Sequence, residues 1–247
     1  MMQKKVQIIS DGSLDLSQEL TKEKDIEVVP FYVSFDSETY QKEMVEVGVR
    51  EFYQEMVDHP TVFPKTSMPS VHDYYEVFEK HAKEQLPVIC ICITRKFSGS
   101  LQSATTAKDM ILEEYPDAQI TVIDSTVNTV LQGLYVLEAC RLRDMGLEYQ
   151  QIVDALLPIR ETGRIFFTIG SIDYLKHGGR IGRLAGIAAS ALKIKPLITL
   201  KEGEIFNSGI TRNRLKSMKK SRGYDKGIFR RSQCETGRVQ FLHRLWI

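Results

Sequence analysis

The first apolar run, Val6–Ser10, breaks at Asp11-Gly12-Ser13, the pattern of a strand ending in a turn. Ile26–Phe35 is β-branched and aromatic and reads as a second strand, with Pro30 marking an edge or bulge. Val49–Val57 has helical apolar spacing. Pro64 to Pro69 is predicted to be a rigid loop holding Thr66 and Ser67, because each proline pushes its predecessor out of helical geometry. Ser70 and Asp73 then have the spacing of a capping box, and Val71, Tyr74, Tyr75, Val77, Phe78 and Ala82 mark one face of the helix it opens. Pro87–Ile93 shows no polar alternation, as a central strand buried on both faces requires. It leads through Thr94–Phe97 into Ser98-Gly99-Ser100 and a helix with Ala104 and Ala107 on its packing side. A strand at Gln119–Asp124 and a helix at Asn128–Met145 follow. This alternation of strand and helix predicts an α/β fold, a parallel sheet flanked by helices.

The pattern changes after a helix at Tyr149–Glu161. Arg164–Thr168 reads as a strand, Ser171–Lys176 as a short helix, and His177–Arg183 as a glycine-rich turn. Leu184–Leu192 has the look of a small-residue helix. Pro196–Leu200 and Glu204–Phe206, separated by Lys201-Glu202-Gly203, read as a hairpin. The expected organisation is an N-terminal α/β domain over residues 1–160, a smaller and incomplete C-terminal α/β domain over 161–218, and an atypical tail over 219–247. Neither a period of 3.6 nor one of 2 persists in that tail.

Charge separates the tail further. The 247 residues carry 33 Lys and Arg against 32 Asp and Glu, but residues 208–247 hold 11 of the basic groups with only Asp225 and Glu235. That segment is therefore +9 and the preceding chain −8. The arginines form no helical stripe, so a nucleic-acid footprint is not expected, and the tail reads as a frameshifted or otherwise altered end. Four scattered cysteines (90, 92, 140 and 234) do not make a disulfide framework. Val88–Ile93 falls far short of the roughly 18 apolar residues that a membrane span needs, and the start lacks a signal-peptide core. A cytoplasmic protein is expected.

Familiar catalytic signatures are missing. There is no G-x-x-x-x-G-K-[ST], no G-x-G-x-x-G, no G-x-S-x-G and no zinc spacing among the histidines. Cys90 and Cys92 fall on one face of a buried strand and read as core, and Asp11 reads as the cap of a strand-end turn. No cofactor or metal is expected. Three segments remain. Thr66-Ser67 offers two hydroxyls between prolines. Ser98-Gly99 opens a helix at the carboxyl end of a parallel strand, where unpaired amides and the helix dipole favour anions. Arg180, between glycines, offers a planar fork for a carboxylate or phosphate. Each alone suits capping or a solvated turn equally well.

Taken in order, these segments resemble the DegV family of bacterial fatty-acid-binding proteins. The resemblance covers Val6 to Lys216. It rests on Ile8–Leu16, Thr66–Ser70, Lys96–Ala104, Val122–Ser125, Tyr174–Gly182 and Lys193–Glu204, the run from Tyr174 being the most specific. It implies a two-domain protein that holds a long-chain fatty acid between its domains. Thr66, Ser67 and Ser98-Gly99 would grip the carboxylate. The resemblance further implies a lipid-presenting role without catalysis of its own. A separate ATP-binding fatty acid kinase subunit would phosphorylate the carboxylate for phospholipid synthesis, with Arg180 and Arg212 serving that step or partner docking. Contact with a membrane surface would be at most transient. A grip of neutral hydroxyls suits a carboxylate that is later handed over. About a dozen buried methylenes at ~0.8 kcal/mol each would supply roughly 10 kcal/mol gross, several of which association consumes. Leu184–Leu192 and the helix at Val71–Phe78 are candidate tunnel walls.

The sequence departs from the family in two places. Gly12 stands where the family usually has a serine after the aspartate. Nothing in Lys219–Ile247 matches the family's final glycine-rich turn with its histidine, and His243 is not equated with it. The alternatives are a small-molecule phosphotransferase of related architecture, an inactive truncated relative, and a binder of nucleic acid or anionic surfaces through the basic tail.

Overall fold

A computed structural model of the chain describes residues 6–169, 172–184, 195–211, 213, 215, 216 and 219. Its centre is a four-stranded parallel sheet. Strand β1 (Gln7–Asp11) pairs with β2 (Ile26–Val29) on one side and β6 (Val88–Cys92) on the other, and β7 (Ile120–Asp124) completes the order β2-β1-β6-β7. Every residue of β1 and β6 is buried, as their unbroken apolar runs predict. One face packs under α5 (Thr129–Asp144) and α6 (Tyr149–Ile159), through Ile8, Ile89, Ile91, Val136, Ile152 and Leu156. The opposite face packs under α3 (Val71–Lys83) and α4 (Ser100–Glu114), where Ala104 and Ala107 let α4 lie close to Cys90 and Cys92. The cysteines are core, as their alternation with Ile91 implied.

The segment Ile26–Phe35 differs from the single strand the sequence suggested. Pro30 cannot donate to a ladder, and the chain leaves the parallel sheet there. It resumes as β3 (Tyr32–Ser34), the centre of a separate antiparallel sheet with β4 (Gln41–Lys42) and β5 (Lys65–Ser67). The proline-flanked segment is therefore a strand and not a loop, with Val33 opposite Thr66 and Tyr32 opposite Ser67. Pro64 and Pro69 bound the strand without interrupting it. The short α1 (Gln18–Glu23) and the longer α2 (Val49–Asp58) complete this part.

Beyond α6, β8 (Ile165–Thr168), β9 (Lys195–Lys201) and β10 (Glu204–Thr211) form an antiparallel sheet of order β10-β9-β8. The short α7 (Asp173–His177) lies between β8 and β9. The hairpin is thus longer than the sequence indicated. Ile198, Leu200, Ile205 and Leu184 form its core, which reaches across to Phe97, Val127 and Leu131 of the first part. Apart from Leu184, the expected helix at 184–192 lies outside the described residues. So does the tail apart from Lys219.

Candidate functional site

The carboxyl ends of β1 and β6 converge with β5 and with the turn after α7. A cavity of about 370 Å³ opens there, lined by Phe31, Thr66, Ser67, Met68, Ile93, Phe97, Ser98, Gly99 and Arg180. Five of the six residues singled out from the sequence therefore line one cavity: Thr66, Ser67, Ser98, Gly99 and Arg180. The sixth, Arg212, lies outside the described residues.

Each of the five has an identifiable support. Thr66 is held by the pairing of β5 with β3. The β3 strand is tied to α3, because the Tyr32 hydroxyl donates to Asp73 Oδ1 at 2.8 Å and Lys42 Nζ lies 3.3 Å from the same oxygen. Asp73 also closes the expected capping box, accepting the Ser70 amide at 2.8 Å while Ser70 Oγ accepts the Asp73 amide at 3.1 Å. Burial works to raise the Asp73 pKa, but these hydrogen bonds outweigh it and hold the carboxyl below its ordinary range. The positioning of Thr66 is thus traceable to a motif visible in the sequence.

Ser98 and Gly99 form the N-terminal lip of α4, with Gly99 at the cap position. Ser98 Oγ accepts the Ser100 amide at 3.2 Å, which leaves the Ser98 hydroxyl hydrogen to be donated elsewhere. Arg180 reaches this lip from the glycine-rich turn. Its Nε donates to the Phe97 carbonyl at 3.1 Å and its guanidinium also donates to the Gly178 carbonyl. Gly179 has φ +71° and Gly182 φ +47°, left-handed conformations that let the chain double back around Arg180. The result is two to three hydroxyl donors and one cation around an open cavity whose remaining lining, Phe31, Met68, Ile93 and Phe97, is apolar, an arrangement fitted to a monovalent anion with an apolar neighbour group.

A larger groove, of about 840 Å³, follows the outer edge of β2 between α1 and the end of α3. It suits an anion poorly. Asp25, Glu27, Glu43 and Glu84 line it beside Lys22, Lys80 and His81, and Glu27 already pairs with Lys80 at 3.1 Å and His81 at 2.6 Å. The smaller cavity, with its cation and uncommitted hydroxyl hydrogen, has the chemistry that an anion needs. The tunnel wall expected at Val71–Phe78 is not part of it. Tyr74 and Phe78 are fully buried in the core between α3, α4 and the sheet. Among the described residues no group of three His, Cys, Asp or Glu side chains could hold a metal, and no helix is long and apolar enough to cross a membrane.

The sequence understated Asp11. It does accept the Ser13 amide at 3.3 Å, as a turn cap should. It is also fully buried and accepts the Ile93 amide at 2.8 Å, Ser100 Oγ at 2.7 Å and Gln132 Nε2 at 2.8 Å. Burial pushes its pKa up against the pull of these donors. Those last three partners lie 82 to 121 residues away in the chain, so no local pattern announces them.

A parallel α/β sheet with a cavity at the carboxyl edge of its strands defines a protein of the open α/β class, which places ligands at that edge. The profile of the DegV family, described as an uncharacterised protein family, matches residues 5–244, and the chain belongs to that family. The match extends through most of the basic segment that the sequence pattern sets apart. A crystallised stearic-acid-binding protein from Eubacterium ventriosum is 45% identical, with a TM-score of 0.89 over 92% of this chain and 78% of its own. A fatty-acid-binding DegV family protein from Thermus thermophilus is 29% identical, with a TM-score of 0.79 over 91% of this chain and 78% of its own. A DegV domain-containing protein of Caldanaerobacter subterraneus is 34% identical over 224 residues, 91% of this chain and 74% of the relative.

Proposed function

We propose that this protein binds a long-chain fatty acid with its carboxylate in the 370 Å³ cavity. The observation that carries the reading is the meeting of Thr66, Ser67, Ser98, Gly99 and Arg180, from three separate chain segments, at one apolar-backed cavity. Ser98 and the hydroxyls of β5 supply neutral donors, and Arg180 supplies one charge that is shared with two carbonyls. Such a grip orients a carboxylate without the deep hold of a dedicated buried ion pair. Neighbours that bind stearic and other fatty acids support the ligand class.

We further infer that the chain presents the carboxylate, in the cytoplasm, to a separate ATP-binding kinase subunit that forms the acyl phosphate, and contributes no nucleophile or base of its own. The open mouth supports this, since Thr66, Ser67 and Arg180 are exposed and a second protein could reach the bound head group. Mass spectrometry of the purified chain under native and denaturing conditions tests the ligand. The expected result is a copurified acid of long chain length; repeated recovery of lipid-free protein that also fails to load with stearic acid would overturn it. Turnover of ATP by the isolated chain would overturn the presenting role.

A further inference from the structure

We propose that Asp11 is a positioning residue for the anion grip, holding the Ser98 lip and the Ile93 wall of the cavity in one fixed relation. This rests on the carboxylate site described above and adds to it a side chain that does not line the cavity.

Asp11 ends β1, and its two oxygens face different directions. Oδ2 accepts the Ile93 amide at 2.8 Å and Ser100 Oγ at 2.7 Å. Oδ1 accepts Gln132 Nε2 at 2.8 Å and the Ser13 amide at 3.3 Å. The Oδ2 pair is the important one. Ile93 lines the cavity, and Ser100 passes its own amide to Ser98 Oγ at 3.2 Å. One carboxylate oxygen therefore joins the Ile93 wall after β6 directly to Ser100 at the start of α4, beside the packing of α4 on β6 and the Tyr74 hydroxyl that touches Cys92 and Ser100.

The polarity of the chain also matters. An ionised Asp11 only accepts, so the Ser100 hydroxyl must donate to it. Tyr74, whose hydroxyl lies 2.6 Å from Ser100 Oγ, then becomes the donor to Ser100. With the Ser100 amide given to Ser98 Oγ, the Ser98 hydrogen is the one left over, and it is available to an anion. A buried carboxylate with four donors is costly to build, and a turn cap alone would not require it.

The geometry includes a means of conservative rescue. Gln132 Oε1 is buried without a partner. Asp11→Asn can keep its oxygen toward Ile93 and Ser100 while its amide donates to Gln132 Oε1 after that side chain turns over. Asp11→Ala cannot keep either contact.

The test compares dodecanoic acid with 1-dodecanol on delipidated full-length chain, using the ratio of their dissociation constants. A merely structural lesion weakens both ligands alike, whereas a mispositioned lip affects the acid alone. Asp11→Ala is expected to lower the preference for the acid about tenfold, the loss of one hydrogen bond to a charged group. Asp11→Asn is expected to restore most of it. Ser100→Ala, which cuts the link and spares the other three bonds, should lower it severalfold, and it carries the test if Asp11→Ala does not fold. Equal weakening of acid and alcohol in Asp11→Ala and Ser100→Ala, or no change in either, would overturn the positioning role. Wild-type protein that shows no preference for the acid would overturn the carboxylate site itself, and this inference with it.

Discussion

Asp11 shows how far one residue's environment can depart from its local pattern. Asp-Gly-Ser after an apolar run is a turn by any sequence rule, and the turn is there. What the pattern does not convey is that the same carboxyl is enclosed by β1, β6, α4 and α5. Burial raises its pKa in the folded chain above that of the unfolded one. Between the two values the native state holds more protons than the unfolded state, so stability falls as pH rises through that window. The contribution is fully favourable below the unfolded value and lost above the folded one. Urea midpoints of wild type and Asp11→Asn across pH 4 to 8 should therefore diverge, with wild type losing ground relative to the variant as pH rises. Parallel curves would mean that the donors fully offset burial. Thr66, Ser98 and Arg180 are legible as chemistry because Thr66 lies between two nearby prolines and Ser98 and Arg180 each adjoin a glycine. Their meeting is not, since it depends on contacts between distant segments.

Elements were most legible where a long run repeats one period. The capping box, the Ala104–Ala107 face of α4 and the buried β6 all follow from spacing alone. Failures fall on short polar strands. Lys65–Ser67 is exposed and carries no alternation, so only its partner β3 makes it a strand. Pro30, legible as a bulge or an edge, instead divides two sheets. The hairpin β9–β10 gives a further test at this scale. Its turn residue Gly203 has φ +79°, and an added Cβ would lie 2.5 Å from Thr94 Oγ1, the group that donates to the Gly203 carbonyl at 3.3 Å. Gly203→Ala should cost about 1–3 kcal/mol from backbone strain and the displaced Thr94. The loss would be measured as a shift in urea midpoint. A midpoint within error of wild type would mean that the hairpin tip does not bear on the loop after β6 in solution.

The whole molecule places its cavity on a seam. Phe97, Val127 and Leu131 from the parallel-sheet part pack with Leu184, Ile198, Leu200 and Ile205 from the antiparallel part. Around this apolar contact lie the Thr94–Gly203 bond, the Arg180–Phe97 bond, and Phe63 stacked on His177 with ring centroids 3.8 Å apart. Thr66, Ser67 and Ser98 come from the chain before α6 and Arg180 from the chain after it, and all four line the cavity. A carboxylate bonded to both Ser98 and Arg180, as proposed, would add a crosslink to the seam and couple ligand binding to the cohesion of the two parts. At a free ligand concentration a hundredfold above its dissociation constant, binding to the folded state alone contributes about 2.7 kcal/mol. For a chain of this size each kcal/mol moves the melting temperature by roughly 2–4 °C, so saturation with stearic acid should raise it by about 5–10 °C. Stearyl alcohol keeps the apolar tail but cannot bridge Ser98 and Arg180 as an anion, and it should give a clearly smaller shift. Scanning calorimetry of delipidated protein with each ligand distinguishes the cases. If acid and alcohol raise the melting temperature equally at the same free concentration, the head group does not join the two sides, and the tail alone stabilises the fold.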